Sequence, residues 1–535
     1  MLALSPTRQA LILFLLTLAI LTPGIWEATA LTGKDEFFLG LRTPMEMIEG
    51  GHWLVPFLDG VPRIRKPPLL YWLGRTSYEL FGVSLFSARI VTVLFSALLV
   101  VSAGGIARHL TKDAKTGLIT GCILLGCLGI ATEGRRFMLD VPVTALSTAA
   151  LWAFLYWLDL RRFYLFTVAT VLLAAGFMTK GPIVALVFGG GCLALVASRQ
   201  LNLSSLRPQL PSIGFHLLLW IALAMPWFFI VRSQFPEAAS LVLADELESR
   251  EFFKLSPRIF LGLLNVALPW VFVFALAVWQ KRHESGPTRF VLFWFAATFL
   301  PFLIIKSFDR YLIGSLVPMA ILLAISIPHM TQRWPYRLGA SVALILGGAL
   351  AGLCYWFHLG GWYWLLAPAA YLSWAWWQDR GIVHRLAAPA IFWIALLWGV
   401  FPALGVNAVP DSIVTLGKQQ SVAMFDGPQP AMLPILSAHP QRHYAHLDKF
   451  DLNELSVSRI PIFVEDKDFV RFQETISGTN YLAKPLGHYQ TLASHGSGLK
   501  FAKVGATNAD WKKAFGSRSL APLLTTVTWF EITPQ

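Results

Sequence analysis

Charged residues are scarce in this chain of 535 residues, since Asp, Glu, Lys and Arg make up only 14% of it. Soluble globular proteins carry about 25%. Hydrophobic residues make up 56%, which is more apolar surface than ordinary cores can bury. The composition excludes a disordered chain, a nucleic-acid-binding module and a disulfide-stapled secreted domain. It predicts a polytopic α-helical membrane protein with some water-exposed mass.

Cysteine and histidine are also sparse, and neither forms a metal-binding pattern. The four cysteines lie inside apolar runs and lack the spacing and polar neighbours of a metal site. We interpret them as small core residues. His443 and His446 are three residues apart but have no obvious carboxylate partner, so the sequence identifies no zinc site.

Apolar segments long enough to span a bilayer recur about thirteen times. A spanning helix needs about 20 mostly apolar residues. The segments lie near 9–29, 86–107, 116–133, 141–158, 163–178, 182–198, 213–231, 258–279, 288–305, 311–328, 338–357, 361–377 and 387–405. The first resembles a signal peptide, with Ala28-Thr29-Ala30 as a cleavage-like end, and we interpret it as a retained span.

The distribution of positive charge predicts the orientation of the spans. The net charge is +13, but the residues from Asp411 onward hold 12 Lys and Arg against 11 Asp and Glu. The excess therefore lies in the loops of the membrane portion, where one alternate set is strongly basic. That set is predicted to be cytoplasmic. An odd number of spans then places the C-terminal segment on the outer side of the membrane.

The opposite, outer loops hold ionisable residues that topology does not require. Two of these loops are long, at about 30–85 and 232–257. Their residues and those of the shorter outer loops include Asp35, Glu36, Arg63, Arg65, Lys66, Asp140, Lys180, Glu246, Arg250, Lys306, Arg310 and Tyr311. Ionisable residues at membrane depth cost about 2.5–3.5 kcal/mol each on insertion scales. The economical explanation is an anionic ligand held at the outer membrane face.

Two clusters suggest specific chemistry. Carboxylates such as Asp35 and Glu36, just outside the membrane, can act as a general base or hold a metal or substrate; they also suit a solvated helix start. The cluster of Arg63, Arg65 and Lys66 precedes two prolines and suits phosphate binding. Its alternative is snorkelling towards lipid headgroups.

The pattern of apolar and polar residues changes after about residue 410. Apolar runs shorten to strand length, as at 460–464 and 526–530, and turn residues separate them. This pattern predicts a small mixed α/β domain on the outer side. We therefore expect two domains, a transmembrane domain over 1–410 and a soluble extracytoplasmic α/β domain over 411–535.

The outer loops form an ordered series that resembles one enzyme family. Asp-Glu follows the first span, and Gly-Gly-His-Trp-Leu-Val-Pro (50–56) and Lys-Pro-Pro-Leu-Leu-Tyr-Trp (66–72) come next. Leu-Asp-Val-Pro (139–142), Thr-Lys-Gly-Pro (179–182) and Arg-Tyr-Leu-Ile followed by Pro (310–318) complete it. The series resembles the bacterial aminoarabinose transferases, which are related to protein O-mannosyltransferases. These are polytopic glycosyltransferases of the GT-C type that take a sugar from a polyprenyl-phosphate carrier.

The resemblance implies roles for individual residues. It places the first-loop acid on Asp35 with Glu36 beside it, the phosphate-contacting lysine on Lys66 and the second acid on Asp140. It places the outer Lys-Gly-Pro on Lys180 and the Arg-Tyr pair on Arg310 and Tyr311. The chain departs from the family pattern at Arg65, where an acid is frequent, and at His52, where Asp is usual. The loop around Glu246 and Arg250 matches only loosely.

We interpret the chain as a GT-C glycosyltransferase of the inner membrane with Asp35, Glu36 and Asp140 as its catalytic acids. The other outer residues would bind substrate. Its partners would be a polyprenyl-phosphate-linked sugar, a lipid or glycan acceptor and membrane lipids, with no nucleic acid. The sequence makes no cofactor certain and leaves a divalent metal possible. One alternative is a transporter or flippase for an anionic lipid-linked substrate, which explains the basic outer residues and the many spans. A phosphoethanolamine-type metal enzyme would need a larger soluble domain.

Overall fold

The computed structural model describes residues 4–31, 35–248, 255–378, 381–427, 429–439, 442–444, 452–493 and 501–535. Helices dominate as far as residue 404. They are α1 Pro6–Leu21, α2 Arg42–Glu49, α3 Leu69–Phe81, α4 Leu85–Thr111, α5 Ala114–Leu125, α6 Leu128–Glu133, α7 Asp140–Leu160, α8 Phe163–Lys180, α9 Gly190–Ala197, α10 Leu210–Ala224, α11 Pro226–Gln234, α12 Pro236–Glu248, α13 Ile259–Ala267, α14 Val271–Lys281, α15 Pro287–Phe299, α16 Ile313–Ser326, α17 Trp334–Trp356, α18 Leu366–Trp377 and α19 Ile382–Ile394.

Among the described residues, seven helical stretches are long and apolar enough to cross a membrane. They are Leu85–Thr111, Asp140–Leu160, Phe163–Ile183, Leu203–Gln234, Asp309–His329, Trp334–Trp356 and Ile382–Leu404. The pair α13 and α14 is bent by 109° and would add an eighth if it forms one broken span. Four shorter apolar helices of 10–17 residues accompany them. The count of thirteen spans therefore stays a prediction.

The helices α4, α7 and α16 form the most buried part of the bundle, because their small and apolar residues allow close packing. Glycines permit a similar approach between α1, α4 and α5. A Cβ on Gly117 would lie 2.6 Å from the carbonyl oxygen of Gly104, so only glycine fits this crossing. Gln9 of α1 donates from its side-chain nitrogen to the Gly104 carbonyl at 3.1 Å. These contacts fix the packing of α1, α4 and α5.

The segment between α1 and α3 forms a compact cap. A π-helix at Glu36–Leu41 leads into α2, and a hairpin of β1 (Phe57–Leu58) and β2 (Val61–Pro62) follows. Asp59 and Gly60 both have positive φ, as a tight hairpin turn requires. Buried Arg42 pairs with Asp59 and with Glu46, which holds the hairpin tip against α2.

Beyond residue 404 the described chain forms a five-stranded mixed sheet. Its strands are β3 Ala423–Phe425, β4 Arg442–Tyr444, β5 Ile462–Glu465, β6 Tyr481–Thr491 and β7 Thr525–Pro534, in the order β4-β3-β5-β7-β6. β4, β3 and β5 are parallel, and β7 pairs antiparallel with β5 and β6. The accompanying helices are α20 Asp411–Gln419, α21 Leu433–Ser437, α22 Leu452–Val457, α23 Phe469–Ile476 and α24 Asn508–Ser517.

Two apolar contacts join this sheet unit to the helical bundle. Ala431, Met432 and Ile435 pack in one core cluster with Phe37 of the π-helix after α1 and with Phe137, three residues before α7. Near the end of α17, Phe357 packs with residues of α24 and its neighbouring segments. The sheet unit is thus packed against the cap that follows α1.

Candidate functional site

Four charged side chains from separate segments meet at the N-terminal end of α7. Asp140, the first residue of α7, forms an ion pair with Lys180, the last residue of α8. Arg310 places its Nε 3.4 Å from the Asp140 carboxylate and its Nη2 2.7 Å from the Asp35 carboxylate. Two carboxylates and two cations therefore alternate in one network. Asp35 is its most exposed member, with one third of its side chain accessible, while Asp140 and Lys180 are almost fully buried.

Local backbone geometry explains why these charges meet. Gly181 has φ +67° and ends α8, so the chain turns immediately after Lys180. A cation at the C-terminal end of a helix and a carboxylate at an N-terminal end are both favoured by the helix dipole. Asp140 and Lys180 occupy those two positions, and the 3₁₀ turn Asp309–Leu312 brings Arg310 to the same point.

An aromatic ring and a pocket adjoin the charges. The Lys180 ammonium lies 3.9 Å from the centre of the Tyr311 ring, a cation–π contact. The pocket has a polar end formed by Asp140, Arg310 and Tyr311, and apolar walls that include Leu186 and Phe302. It contains about 340 Å³ of space, part of which opens to solvent. Its polar end thus combines a carboxylate, a guanidinium and a phenol at the edge of apolar walls.

Glu36 lies beside this network in a fully buried charge cluster. Its carboxylate accepts hydrogen bonds from the Arg89 Nε at 2.9 Å and from the Phe137 backbone N–H at 2.9 Å, and the Arg136 Nε lies at 3.5 Å. Burial raises the pKa of Glu36, but the two guanidinium groups and the donated hydrogen bonds outweigh it, so the pKa is below its usual value. Glu36 ties the segment after Asp35 to the segment that leads into Asp140.

The basic cluster of the first loop spreads over several environments. Arg65 forms an ion pair with Asp245 of α12, and both side chains are about half exposed. Arg63 is half-buried, and its backbone N–H donates to the Pro56 carbonyl at 2.7 Å. Lys66 is half-buried just before the two prolines that precede α3. The Arg65 pair connects the segment before α3 to α12.

The remaining predicted site residues lie in less informative positions. Lys306 is exposed, four residues before Arg310. Glu246 lies in α12, but its side chain, like the whole of Arg250, falls outside the described residues. In the part of the chain that the structure describes, no group of three or more His, Cys, Asp and Glu side chains is arranged to hold a metal ion.

Several charged residues around the site were not singled out from the sequence. Arg89 and Glu133 complete the cluster around Glu36, and Arg42 holds the hairpin that precedes Arg63. Arg89 had a usable signal, because it is an isolated cation near the start of a long apolar run, where an ionisable residue calls for a buried partner. Arg42 and Glu133 lie in ordinary-looking polar segments and gave no such signal.

Comparison with known proteins gives matches over much of the chain. Residues 65–229 match the family described as dolichyl-phosphate-mannose-protein mannosyltransferase. An undecaprenyl phosphate-alpha-4-amino-4-deoxy-L-arabinose arabinosyl transferase of Enterobacter sp. strain 638 is 28% identical over 306 residues, 54% of this chain and 53% of the relative. The protein of the same name from Erwinia tasmaniensis is 26% identical over 457 residues, 78% of this chain and 79% of the relative. The chain spans about half the length of the first curated relatives it matches.

Solved structures extend the similarity to the fold. ArnT from Cupriavidus metallidurans bound to undecaprenyl phosphate matches with a TM-score of 0.69 at 15% identity, covering 97% of both chains. Its apo form gives the same TM-score at 16% identity, with 90% of this chain and 97% of that chain covered. The chain is aminoarabinose transferase-like, in sequence and in fold.

The family resemblance predicted from the ordered loop motifs is thereby confirmed. The chain is a multi-pass helical protein of the inner membrane with a GT-C fold. The matched family region, 65–229, contains Lys66, Asp140 and Lys180 but not Asp35 or Arg310. The individual site residues therefore stay predictions that the geometry above makes specific.

Proposed function

We propose that the chain is a membrane glycosyltransferase that moves a sugar from a polyprenyl-phosphate carrier to a lipid or glycan acceptor at the outer face of the inner membrane. Aminoarabinose is the sugar that the names of the relatives suggest, and lipid A is the acceptor that the family resemblance implies. The observation that carries the proposal is the convergence of Asp35, Asp140, Lys180 and Arg310 beside an apolar-walled pocket.

Lys180 and Arg310 are the groups that would stabilise the leaving phosphate. As the bond between the sugar C1 and the phosphate oxygen breaks, its electron pair stays on that oxygen and the phosphate gains a negative charge. Cations fixed beside that oxygen stabilise the transition state more than the ground state. Both cations already face carboxylates in the structure, so the site is built to hold them in place. Lys66, with Arg63 and Arg65, would contact the same carrier from the first loop.

Asp35 would act on the acceptor. If the acceptor is a hydroxyl, Asp35 takes its proton as the oxygen attacks C1; if it is a phosphate, no base is needed and Asp35 positions it. Attack on the face opposite the leaving phosphate inverts the anomeric centre. Asp140 would hold Lys180 and Arg310 at the correct spacing, and Tyr311 would complete the wall of the site. For Glu36 we propose a positioning role, because its carboxylate is already fully engaged.

The finer topology belongs to the same proposal. With thirteen spans, the 30–85 and 232–257 loops would lie on the outer side of the membrane, together with the unit after residue 410. All the proposed site residues would then lie on that one side. Lys306, Glu246 and Arg250 would then lie at the rim of the same site. The four apolar helices of 10–17 residues and the bent pair α13 and α14 are compatible with additional spans.

Reconstitution tests the proposal directly. The chain is placed in vesicles with undecaprenyl-phosphate-linked aminoarabinose and lipid A, and mass spectrometry follows the gain of one sugar residue on lipid A. Asp35→Asn should lower turnover by about 100-fold or more, because it keeps the shape of the side chain and removes the base. Carrier binding should change much less.

Asp159→Asn is the matched control, since it removes a half-exposed carboxylate near the opposite end of α7. It should keep the parent turnover. Movement of the carrier across the bilayer without sugar transfer would favour the transporter alternative. Transfer by Asp35→Asn at the parent rate would remove Asp35 from the mechanism.

A further inference from the structure

The short helix α24 lies at the end of a membrane-crossing helix. Trp356, the last residue of α17, donates from its indole nitrogen to the Phe515 carbonyl at 3.1 Å. The guanidinium of Arg518 lies 4.3 Å from the centre of the Trp356 ring, and the rings of Phe357 and Phe515 are 5.3 Å apart. Since α17 is a candidate span, these contacts place α24 beside the point where the span ends.

Exposed aromatic residues mark that point as a membrane–water boundary. Tyr355, Tyr363 and Trp364 are each more than half exposed around the end of α17. Tyrosine and tryptophan concentrate at the headgroup level, where one part of the ring system is apolar and the other is hydrated. The α17 window is only 28% buried within the protein, which is consistent with lipid around it. The placement of α24 at headgroup level does not depend on which side of the membrane is the outer one.

Positive charge is concentrated on the same short segment. Residues 500–535 hold five Lys and Arg against two acids, while residues 411–499 hold seven against nine. The acid in α24, Asp510, forms the capping box with Thr507 and lies 3.6 Å from Lys503. Lys512, Lys513 and Arg518 are exposed. The segment therefore has a basic exposed face, although the unit to which it belongs is nearly neutral.

The apolar side of α24 is equally defined. Ala514 is fully buried against Phe357 and Leu523, and Phe515 remains partly exposed next to Trp356. Trp511 and Phe515 lie side by side on α24, and Lys512 and Lys513 are exposed next to them. Aromatic residues beside exposed lysines are typical of segments that contact the membrane interface. Basic residues at such a position are attracted to anionic lipid headgroups.

We propose that α24 and its flanks form a binding surface for the phosphate headgroups of anionic lipids in the adjoining leaflet. Lys512, Lys513 and Arg518 supply the positive charge. The contacts of Phe515 and Arg518 with Trp356 hold α24 at the level of the lipid headgroups. The surface is separate from the Asp140 network and does not rest on the proposed transferase activity. Each cation near an anionic surface contributes roughly a fivefold preference, about 1 kcal/mol.

The test compares the full chain in nanodiscs of phosphatidylcholine alone and of phosphatidylcholine with 30% phosphatidylglycerol. Hydrogen exchange of the amides in α24 is followed by mass spectrometry. We expect exchange to slow at least tenfold with phosphatidylglycerol in the parent chain. Lys512→Gln combined with Lys513→Gln should reduce that response to less than threefold, because two cations together account for up to about thirtyfold.

Two further variants separate the lipid surface from general effects. Lys418→Gln with Lys484→Gln removes two exposed cations elsewhere in the same unit and should keep the full response. Lys512→Arg with Lys513→Arg preserves the charge and should also keep it, which distinguishes loss of charge from loss of the helix. Equal exchange of the parent in both nanodiscs, or an equal loss in the Lys418 and Lys484 variant, would overturn the proposal. Competition by inorganic phosphate at constant ionic strength would also overturn it, in favour of a free-anion site.

Discussion

At Asp140, one almost fully buried carboxylate faces two cations from different helices. Taking such charges out of water costs several kcal/mol per ion, and mutual attraction repays this only with good geometry. The Asp140 network leaves Arg310 with a second partner, Asp35, that is partly open to solvent. An incoming phosphate can therefore compete for Arg310 without leaving Asp140 and Lys180 unpaired. We therefore expect Arg310 to exchange Asp35 for the phosphate while Asp140 and Lys180 stay paired.

The first prediction concerns Lys180 and Arg310. Each charged contact to a phosphate contributes about 1.5–3 kcal/mol, so each alanine substitution should lower transfer by roughly ten- to a hundredfold. Because both cations share Asp140 and would share one phosphate, their effects should be non-additive. The measurement is a double-mutant cycle on Lys180→Ala and Arg310→Ala, with carrier binding and turnover determined separately.

Lys281→Ala provides the control, since Lys281 pairs with Glu284 at the end of α14 and should leave transfer unchanged. Independent losses from Lys180→Ala and Arg310→Ala, or unaltered carrier binding in both, would identify them as separate structural anchors. Extending the cycle to Lys66→Ala tests whether the first loop contributes to the same phosphate.

The second prediction concerns Glu36, whose neutralisation takes a shared counterion from buried Arg89 and Arg136, while Arg136 keeps its ion pair with Glu133. Breaking a buried ion pair on one side costs about 3–5 kcal/mol. Glu36→Gln should therefore lower the free energy of unfolding by about that amount in an SDS titration of the detergent-solubilised protein. Glu79→Gln, which removes the more exposed partner of Arg75, should cost about 1 kcal/mol or less. A Glu36→Gln protein of unchanged stability but without turnover would return Glu36 to the catalytic group.

At the scale of helices and strands, the sequence predicted where helices end better than it predicted which residues meet in space. The predicted apolar spans near 141–158 and 163–178 begin and end close to Leu-Asp-Val-Pro and Thr-Lys-Gly-Pro, and Asp140 and Lys180 lie at those helix ends. Glycine and proline specify local backbone geometry, so such points can be read from a few residues. That Arg310 reaches Asp35, 275 positions away, depends on how the bundle packs and has no local signal. The adjacent pair Asp35 and Glu36 also looked alike, yet the π-helix that follows Asp35 places them in different surroundings.

The third prediction concerns the end of β5. Glu465 is almost fully buried, and burial raises its pKa to about 7, although a hydrogen bond from the Gln429 backbone and the Lys467 charge act in the other direction. The folded-state pKa is thus above the unfolded value of about 4.3. The protonated form is favoured by folding, so stability should fall as the pH rises from about 4.3 to 7 and level off above it, by about 4 kcal/mol at most.

Glu465→Gln should remove this part of the pH dependence, because glutamine is neutral and still accepts the Gln429 hydrogen bond. The measurement is thermal unfolding of the solubilised protein between pH 5 and 8, where the variant should gain most at pH 8. Glu474→Gln, an exposed acid in the same unit, should keep the parent profile. Parallel profiles for the parent and Glu465→Gln would show that Glu465 ionises freely in the folded protein.

At the scale of the whole molecule, charge and apolar packing divide the chain in different ways. The sequence separates a charge-poor helical portion from a nearly neutral C-terminal segment at about residue 410. In the structure, Met432 and Ile435 of that segment pack in the same core cluster as Phe37 and Phe137. Phe37 lies two residues after Asp35, and Phe137 lies three residues before Asp140. Composition predicts the change in pattern because it reports solvent environment. It does not predict this packing, which involves ordinary apolar residues on both sides.

The last prediction concerns the side of the membrane on which this assembly lies. The basic bias of one alternate set of loops predicts that residues 30–85, 232–257 and the segment after 410 share the outer side. Ser421→Cys, just before β3, should react with a membrane-impermeant thiol reagent in intact spheroplasts. Ser204→Cys, in an exposed segment between α9 and α10 on the predicted cytoplasmic side, should react only after lysis. The parent chain is the blank, because Cys127 and Cys354 are buried and Cys122 and Cys192 are half-buried. Labelling of Ser204→Cys in intact spheroplasts with protection of Ser421→Cys would show that the chain has the opposite orientation in the membrane. It would place the Asp140 network on the cytoplasmic face, where the proposed transfer at the outer face could not take place.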